Sequence, residues 1–184
     1  MRARWTSMLA IAAVVAVASL PVFAQKVVSS KVGGGGSPHE TVEYNIDGAK
    51  ITIAYGKPFL KGRPLESLTP AGQVWRLGAD EATLITSDKS LMIGSAMLQP
   101  GTYSLYALPK PGAWKLIVNK KTGQWGIPYP KETEAMEIAR IDMKEGKGAK
   151  PVENFTISIE DTQAGGNLKL AWGTMEQTVP IMVH

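Results

Sequence analysis

Hydrophobic and polar residues alternate with a period of two along most of the chain. Val42, Tyr44 and Ile46 fall on one side of the first such segment, and the alternation resumes at Ile51 after an Asp-Gly pair. This period predicts half-buried β-strands, and Asp-Gly readily adopts the positive φ angles of a tight turn between strands. The pattern therefore predicts a β-hairpin near the start of the folded region.

Later segments continue this pattern with two exceptions. Segment 56–72 contains three prolines and three glycines, so it predicts a long loop with one helical turn at 65–68. Segment 132–143 has a composition that favours a helix, but its later residues alternate between two faces as in a strand. This combination predicts a helical turn followed by a strand. Pro180 indicates an edge strand. The remaining predicted strands are 82–87, 91–93, 96–98, 102–108, 114–118, 155–159, 168–172 and 178–183.

Nine to eleven short strands separated by Gly and Pro turns, with almost no helix, define the predicted fold class. This combination is typical of an all-β antiparallel two-sheet sandwich of jelly-roll type. A closed lipocalin-like barrel is the alternative.

The first 24 residues differ in character from the rest. Arg2 and Arg4 precede an unbroken apolar run from Met8 to Ala18, and Ala24 is a small residue of the kind that signal peptidases accept. The run is shorter than the roughly 20 apolar residues that span a bilayer, which favours a cleaved signal peptide over a retained anchor. We therefore expect a signal peptide over 1–24, a flexible Gly-rich linker over 25–38, and a single domain over 39–184 in a periplasmic or secreted protein.

Composition and motifs exclude several classes of function. Removing Arg2 and Arg4 with the signal leaves 18 basic and 16 acidic residues, a net charge of +2, which does not favour nucleic-acid binding. The chain has no cysteine, and its two histidines, His39 and His184, lie far apart in sequence. No nucleotide-binding or hydrolase motif occurs. We therefore predict no membrane span after cleavage, no cofactor, no metal site and no catalytic residue.

The segment 71–86 has the highest density of reactive side chains. Arg76 is suited to clamp a carboxylate, a phosphate or sugar hydroxyls, and Glu81 beside Asp80 is suited to accept hydrogen bonds. A structural interpretation competes, in which Arg76 pairs with Glu81 or a loop carbonyl. We expect Trp75 to lie in the core, because large aromatic side chains are mostly buried.

Two loops supply further candidate ligand-binding residues. Arg63 lies with Lys57 and Lys61 among prolines, which would attract an anionic ligand or would form an ordinary solvated loop. Trp125 and Tyr129 lie in a Gly- and Pro-rich loop with few sequence neighbours. They are suited either to stack on a sugar ring or peptide or to cover one end of the sandwich.

Several of these motifs together resemble a known family. The motifs are Tyr55-Gly56-Lys57-Pro58, Lys61-Gly62-Arg63, Val74 to Thr83 (VWRLGADEAT), Pro100 to Leu105 (PGTYSL), Trp114 and Trp125-Gly126. In these motifs the chain resembles a bacterial exported family, domain-of-unknown-function family 2911, over residues 37–183. The resemblance implies export and a single domain, and it implies no activity. In that family arginine is usual at the position of Lys57 and asparagine at Asp80, which argues against catalysis by Asp80.

Three functional hypotheses follow. The first is a non-catalytic binding module for a glycan or small anionic ligand that uses Arg63, Arg76, Glu81, Trp125 and Tyr129. The second is a protein-interaction module of the cell envelope, for which an unprotected edge strand would be a sign. The third is an envelope glycan hydrolase that uses Glu81 with Asp80, although adjacent residues of an extended chain point apart.

Overall fold

The computed structural model describes residues 25–112 and 114–184, which form eleven β-strands and two single-turn helices. The predicted signal peptide lies outside these residues. Among them, no helix is long and apolar enough to cross a membrane. The strands are β1 (Gln25–Val32), β2 (Pro38–Ile46), β3 (Ala49–Gly56), β4 (Thr83–Ser87), β5 (Leu91–Ile93), β6 (Ala96–Leu98), β7 (Gly101–Leu108), β8 (Lys115–Asn119), β9 (Glu137–Asp142), β10 (Lys144–Thr162) and β11 (Gly165–Val183). The helices are α1 (Leu65–Leu68) and α2 (Lys131–Glu134).

The strands form two antiparallel sheets. One sheet has the order β1-β2-β3-β4-β7-β8-β9, and the other has the order β10-β11-β5-β6. The predicted two-sheet sandwich is therefore confirmed. The alternative, a closed lipocalin-like barrel, is wrong, because β1 and β9 end the first sheet without pairing with each other.

The core lies between the sheets and follows the alternation of the sequence. Ile51 and Ile53 of β3 belong, with Phe155 and Ile157 of β10, to one continuous buried cluster. A smaller cluster on the outer face of the seven-stranded sheet contains Ala82, Tyr106, Leu108 and Ile117, with Val74 and Tyr129 packed against it. Loops therefore cover part of that outer face, which brings chemistry-bearing residues to one side of the sheet.

Local predictions from turn residues are confirmed. Asp47 and Gly48 have φ angles of 48° and 71° in the turn between β2 and β3. Helix α1 covers the four residues expected to form a helical turn, and α2 followed by β9 matches the predicted turn and strand. These elements depend on interactions between near neighbours, which the sequence displays directly.

Pro180 does not mark an edge strand. Strand β11 lies between β10 and β5, so the prediction from this proline is wrong for the strand as a whole. The pairing of β11 with β10 ends where Thr178 faces Lys144, and the carbonyl of Pro180 accepts a hydrogen bond of 2.8 Å from Gly94. Because the ladder with β10 ends first, the missing N–H of the proline breaks no hydrogen bond.

The segment expected to be a flexible linker has defined structure. Residues 25–32 form β1, which pairs along β2 from Gln25 opposite Tyr44 to Val32 opposite Pro38. The glycines that follow make the turn between the two strands, with a hydrogen bond of 2.9 Å from the Gly33 N–H to the Ser37 carbonyl. All eight residues of β1 are exposed, so hydrophobic periodicity could not indicate this edge strand.

Candidate functional site

The segment 71–86 is pinned to the seven-stranded sheet along its length. Trp75 and Ala107 exchange two backbone hydrogen bonds of 2.7 and 2.9 Å, so the segment continues the line of β4 beside β7. Leu77 and Asp80 have φ angles of 54° and 64°, and these two bends separate Trp75 from β4. The Thr83 hydroxyl donates a hydrogen bond of 2.6 Å to the Leu77 carbonyl across the bends. The side chains of this segment therefore have fixed directions.

Trp75 anchors the segment in the core, as predicted. Its side chain is 8% exposed, and it stacks on Trp172 with ring centroids 5.5 Å apart. Phe155 and Trp114 contact it edge-on at 4.8 and 6.1 Å. Such aromatic contacts stabilise a fold beyond simple burial, so Trp75 supplies rigidity next to Arg76.

Arg76 is held by carbonyl groups, which is one form of the structural interpretation. Its Nε donates to the Gly78 carbonyl at 3.4 Å and its Nη1 to the Asp80 carbonyl at 3.3 Å. The backbone of Gly126 lies so close that a β-carbon there would overlap the Arg76 side chain. The guanidinium is consequently oriented while its Nη2 carries no protein hydrogen bond within the described part of the chain.

The loop between β8 and β9 docks on the same segment. Ala82 donates a backbone hydrogen bond of 3.2 Å to Gln124, and Gly126 donates one of 3.0 Å to Asp80. The backbone of Trp125 lies opposite Glu81, and the Trp125 side chain is 54% exposed. Trp125 and Glu81 are therefore neighbours through their backbones.

Arg63 and Arg76 line one cleft of about 260 Å³, whose lining also includes the nearly buried Trp75 and Trp172. Arg63 reaches it from the loop before α1, where its Nε and Nη2 donate to backbone carbonyls at 3.0 and 2.8 Å. Asp80 is the acidic residue of the lining. The structure thus brings together two of the five predicted ligand-binding residues.

Neither arginine of the cleft forms an ion pair with a carboxylate in residues 25–112 or 114–184. Arg140 on β9 contrasts with them, because it contacts Glu134 at 2.9 Å and Glu137 at 2.7 Å. Guanidinium groups match carboxylate and phosphate oxygens with paired N–H donors. The cleft is lined by two guanidinium groups and one carboxylate, that of Asp80, so the charge of its lining is net positive.

Tyr129 lies away from the cleft and acts within the fold. Its ring packs on Tyr106 at 4.6 Å, and its hydroxyl accepts a hydrogen bond from Asn119 at 3.0 Å and donates one to Glu137 at 2.9 Å. Burial raises the pKa of the Tyr129 hydroxyl well above its ordinary value. Tyr129 therefore covers part of the outer face of the seven-stranded sheet, and not an end of the sandwich.

A second group of polar side chains forms beside the cleft, on the other side of Asp80. His39 Nε2 lies 2.9 Å from Asp80 Oδ2, and His39 Nδ1 lies 3.5 Å from Glu81 Oε2. His39 and Asp80 are 9% and 6% exposed, whereas the Glu81 side chain is about half exposed. His39 and Glu81 line a pocket of about 230 Å³ between the ends of β1, β2 and β3. These three residues also satisfy the distances of a metal-binding group.

Sequence reasoning missed this group because its contact is long-range. His39 precedes Asp80 by 41 residues, and as the first residue after the predicted linker it was not expected to be rigidly held. His39 is buried although it is out of phase with Val42, Tyr44 and Ile46, so the alternation of β2 carries no signal for it. The arrangement also differs from the paired carboxylates of a glycoside hydrolase, which flank a bond across an open cleft, because the His39 ring separates Asp80 from Glu81.

The comparisons with known proteins agree with the motifs of the sequence. A family model described as "Protein of unknown function (DUF2911)" matches residues 37–181, which includes both arginines of the cleft and the three residues around His39. No curated protein and no solved structure matches the chain. The match covers well over half of the chain, and the protein therefore belongs to the DUF2911 family of proteins of unknown function.

Proposed function

We propose that this protein is an exported, non-catalytic binding module for a small anionic ligand, either a free anion or an acidic sugar unit of a glycan. The observation that carries this proposal is the pair Arg63 and Arg76, which line one cleft and lack carboxylate partners among the described residues.

The chemistry of guanidinium groups supports an oxyanion as the ligand. Arginine presents planar N–H donors that match carboxylate and phosphate oxygens, and charge-assisted hydrogen bonds are stronger than neutral ones. Arg76 is already oriented by two carbonyls and by Gly126, so little side-chain entropy would be lost on binding. Preorganised donors of this kind favour binding over a purely structural role.

The dimensions of the cleft favour a small ligand. Its volume of about 260 Å³ is just below the range of roughly 300–1,000 Å³ that is usual for small-molecule sites. Trp75 and Trp172 also line it, but both are almost fully buried and stack on each other, so the arginines supply its accessible chemistry. Phosphate and a single uronic acid are therefore the ligand types that we expect to fit.

Export is proposed from the composition of the N-terminus. The basic residues Arg2 and Arg4 and the apolar run from Met8 to Ala18 have the order of a signal peptide. A periplasmic or secreted location would expose the cleft to envelope glycans and their breakdown products.

Titration calorimetry with glucuronate, glucose and inorganic phosphate tests the proposal. Glucuronate and glucose differ by one carboxylate, so binding of the former alone would identify the charge as the recognised feature. Arg63→Gln and Arg76→Gln should each weaken binding by about tenfold or more, because a hydrogen bond to a charged group contributes about 1.5–3 kcal/mol.

Lys61→Gln is the matched control, because it removes one positive charge from the same loop and Lys61 does not line the cleft. It should leave affinity within about twofold of wild type. Equal losses in Lys61→Gln and Arg63→Gln, or no binding of any probe by wild type, would contradict the proposal. Arg63 is exposed and its variant is expected to fold, which keeps the test valid if Arg76→Gln is unstable.

A further inference from the structure

The ring of His39 is fixed from one side by a closed contact. Its Nε2 faces Asp80 Oδ2 at 2.9 Å, and both residues are buried. Gly33 in the turn after β1 covers this contact, since a β-carbon on Gly33 would overlap both atoms. An ionised carboxylate only accepts hydrogen bonds, so with Asp80 ionised the proton of this contact lies on Nε2.

The opposite side of the ring is open and lacks a donor. With the proton on Nε2, neutral His39 presents the lone pair of Nδ1 toward Glu81 Oε2, which lies 3.5 Å away. Two acceptors that face each other at this distance repel unless a positive charge lies between them. Either a second proton on the imidazole or a metal cation can supply that charge.

The separation of these two atoms matches that of two ligands of one metal ion. Zinc bonds of about 2.0–2.2 Å to nitrogen and oxygen at a tetrahedral angle place the ligand atoms about 3.4 Å apart. The contact of His39 with Asp80 also has the form of the outer carboxylate that commonly orients a metal-bound imidazole. His39 and Glu81 therefore have the spacing of two metal ligands, and Asp80 has the position of the carboxylate that orients the imidazole.

The charges around the position favour a divalent cation. Asp80 and Glu81 bring two carboxylates, and the pocket is also lined by Glu40 and Lys31. Glu40 is paired with Lys57 at 2.9 Å, so its charge is partly compensated. The two side chains that contact the His39 ring, Asp80 and Glu81, are thus both acidic, while Lys31 lines the pocket and Arg76 donates to the Asp80 backbone carbonyl at 3.3 Å.

We propose that the protein binds a divalent transition-metal ion of the zinc type between Nδ1 of His39 and Oε2 of Glu81, with Asp80 holding the imidazole ring. One imidazole and one carboxylate suit zinc-type ions better than Mg²⁺ or Ca²⁺, which prefer oxygen ligands alone. The remaining coordination positions face the pocket of about 230 Å³, where water or a small ligand completes the shell. The two inner ligands, His39 and Glu81, do not line the cleft of Arg63 and Arg76, whereas Asp80 lies between the two sites.

The first measurement is titration of the EDTA-treated protein, without a histidine tag, with Zn²⁺ and with Co²⁺. One equivalent should bind, and the visible spectrum of Co²⁺ should report nitrogen and oxygen ligands. Glu81→Gln should weaken binding at least tenfold, and Glu81 is exposed enough for this variant to fold. His184→Gln is the control for adventitious binding at the other histidine, and it should bind as wild type does.

The nitrogen resonances of His39 supply a second, site-specific measurement. Addition of Zn²⁺ should shift the Nδ1 resonance and leave Nε2 protonated, because the side facing Asp80 is closed. Absence of binding by wild type, unchanged affinity in Glu81→Gln, loss of binding in His184→Gln, or an Nδ1 that stays protonated in the presence of Zn²⁺ would each overturn the proposal. The last result would mean that a proton, and not a metal ion, lies between His39 and Glu81.

Discussion

Gly33 occupies its position because it has no side chain. Its α-carbon lies against the His39–Asp80 contact, and a β-carbon would overlap His39 Nε2 and Asp80 Oδ2. Gly34, the next residue, has nothing within 4 Å of such a β-carbon. One glycine of the run therefore has a packing role, and its neighbour does not.

We predict that Gly33→Ala lowers the free energy of unfolding by about 1–3 kcal/mol, the usual cost of forcing extra volume into a packed region. Gly34→Ala should be neutral or slightly stabilising, because it only restricts the unfolded chain. Urea denaturation of both variants measures the difference. Equal stability of the two variants would show that the turn after β1 can move away from His39 at little cost.

The contrast between Gly33 and Gly34 marks a limit of sequence reading. A run of four glycines predicts flexibility, because no side chain is present to indicate packing. Only the fold shows that His39, from the start of β2, meets Asp80, which lies 41 residues later near the end of the segment between β3 and β4. Long-range contacts of this kind leave no periodic signal, which explains why His39 was missed and Asp80 undervalued.

Whole strands and loops were predictable where hydrophobic alternation or turn chemistry defines them. The hairpin of β2 and β3, helix α1 and the order α2–β9 follow from such local signals. Strands β10 and β11 are 19 residues each, much longer than predicted. Strand β10 contains glycines and a proline that resemble turn signals, but the pairing with β11 continues past them through register shifts on either side of Val152. Pairing across a bulge depends on the partner strand, and a single segment does not display it.

The loop between β8 and β9 offers a test of what Trp125 and Tyr129 do. The hydroxyl of Tyr129 joins Asn119 at the end of β8 to Glu137 at the start of β9. We predict that Tyr129→Phe lowers the free energy of unfolding by about 1–2 kcal/mol, because it leaves Asn119 and Glu137 with one fewer partner.

A measurement of anion binding distinguishes this stabilising role of Tyr129 from direct contact with a ligand. Tyr129→Phe should bind phosphate or glucuronate as wild type does, since Tyr129 does not line the cleft of Arg63 and Arg76. Thermal unfolding with and without the anion measures both effects in one series. Unchanged stability together with weakened binding would instead place Tyr129 in the ligand site.

The sandwich as a whole joins its two sheets partly through hydroxyl groups. Tyr44 on β2 donates a hydrogen bond of 3.2 Å to the Ile157 carbonyl on β10, and the Tyr55 hydroxyl on β3 accepts one of 3.1 Å from the Ile157 N–H. Both tyrosines are buried, at 3% and 4% exposure. The sheets are thus connected by polar bonds at one residue within an otherwise apolar core.

These tyrosines make the stability of the sandwich sensitive to alkaline pH. Burial raises the pKa of Tyr44 from 10.0 to about 12, and burial likewise raises the pKa of Tyr55. A folded-state pKa above the unfolded value means that the folded protein holds the proton more tightly. The associated stability is fully present below pH 10 and is lost as the pH rises from 10 toward 12. For Tyr44 this loss amounts to about 2–3 kcal/mol.

Tyr44→Phe isolates the contribution of this hydroxyl from the lysines that titrate in the same range. At pH 7 the variant should be about 1 kcal/mol less stable than wild type, because it lacks the bond to Ile157. Between pH 10 and 12 it should lose less stability than wild type, because phenylalanine carries no proton to release, so the two stability curves converge or cross. Urea denaturation at steps of half a pH unit measures both curves. Parallel curves would mean that Tyr44 ionises as readily in the folded protein as in the unfolded chain, and that water reaches the contact between the sheets.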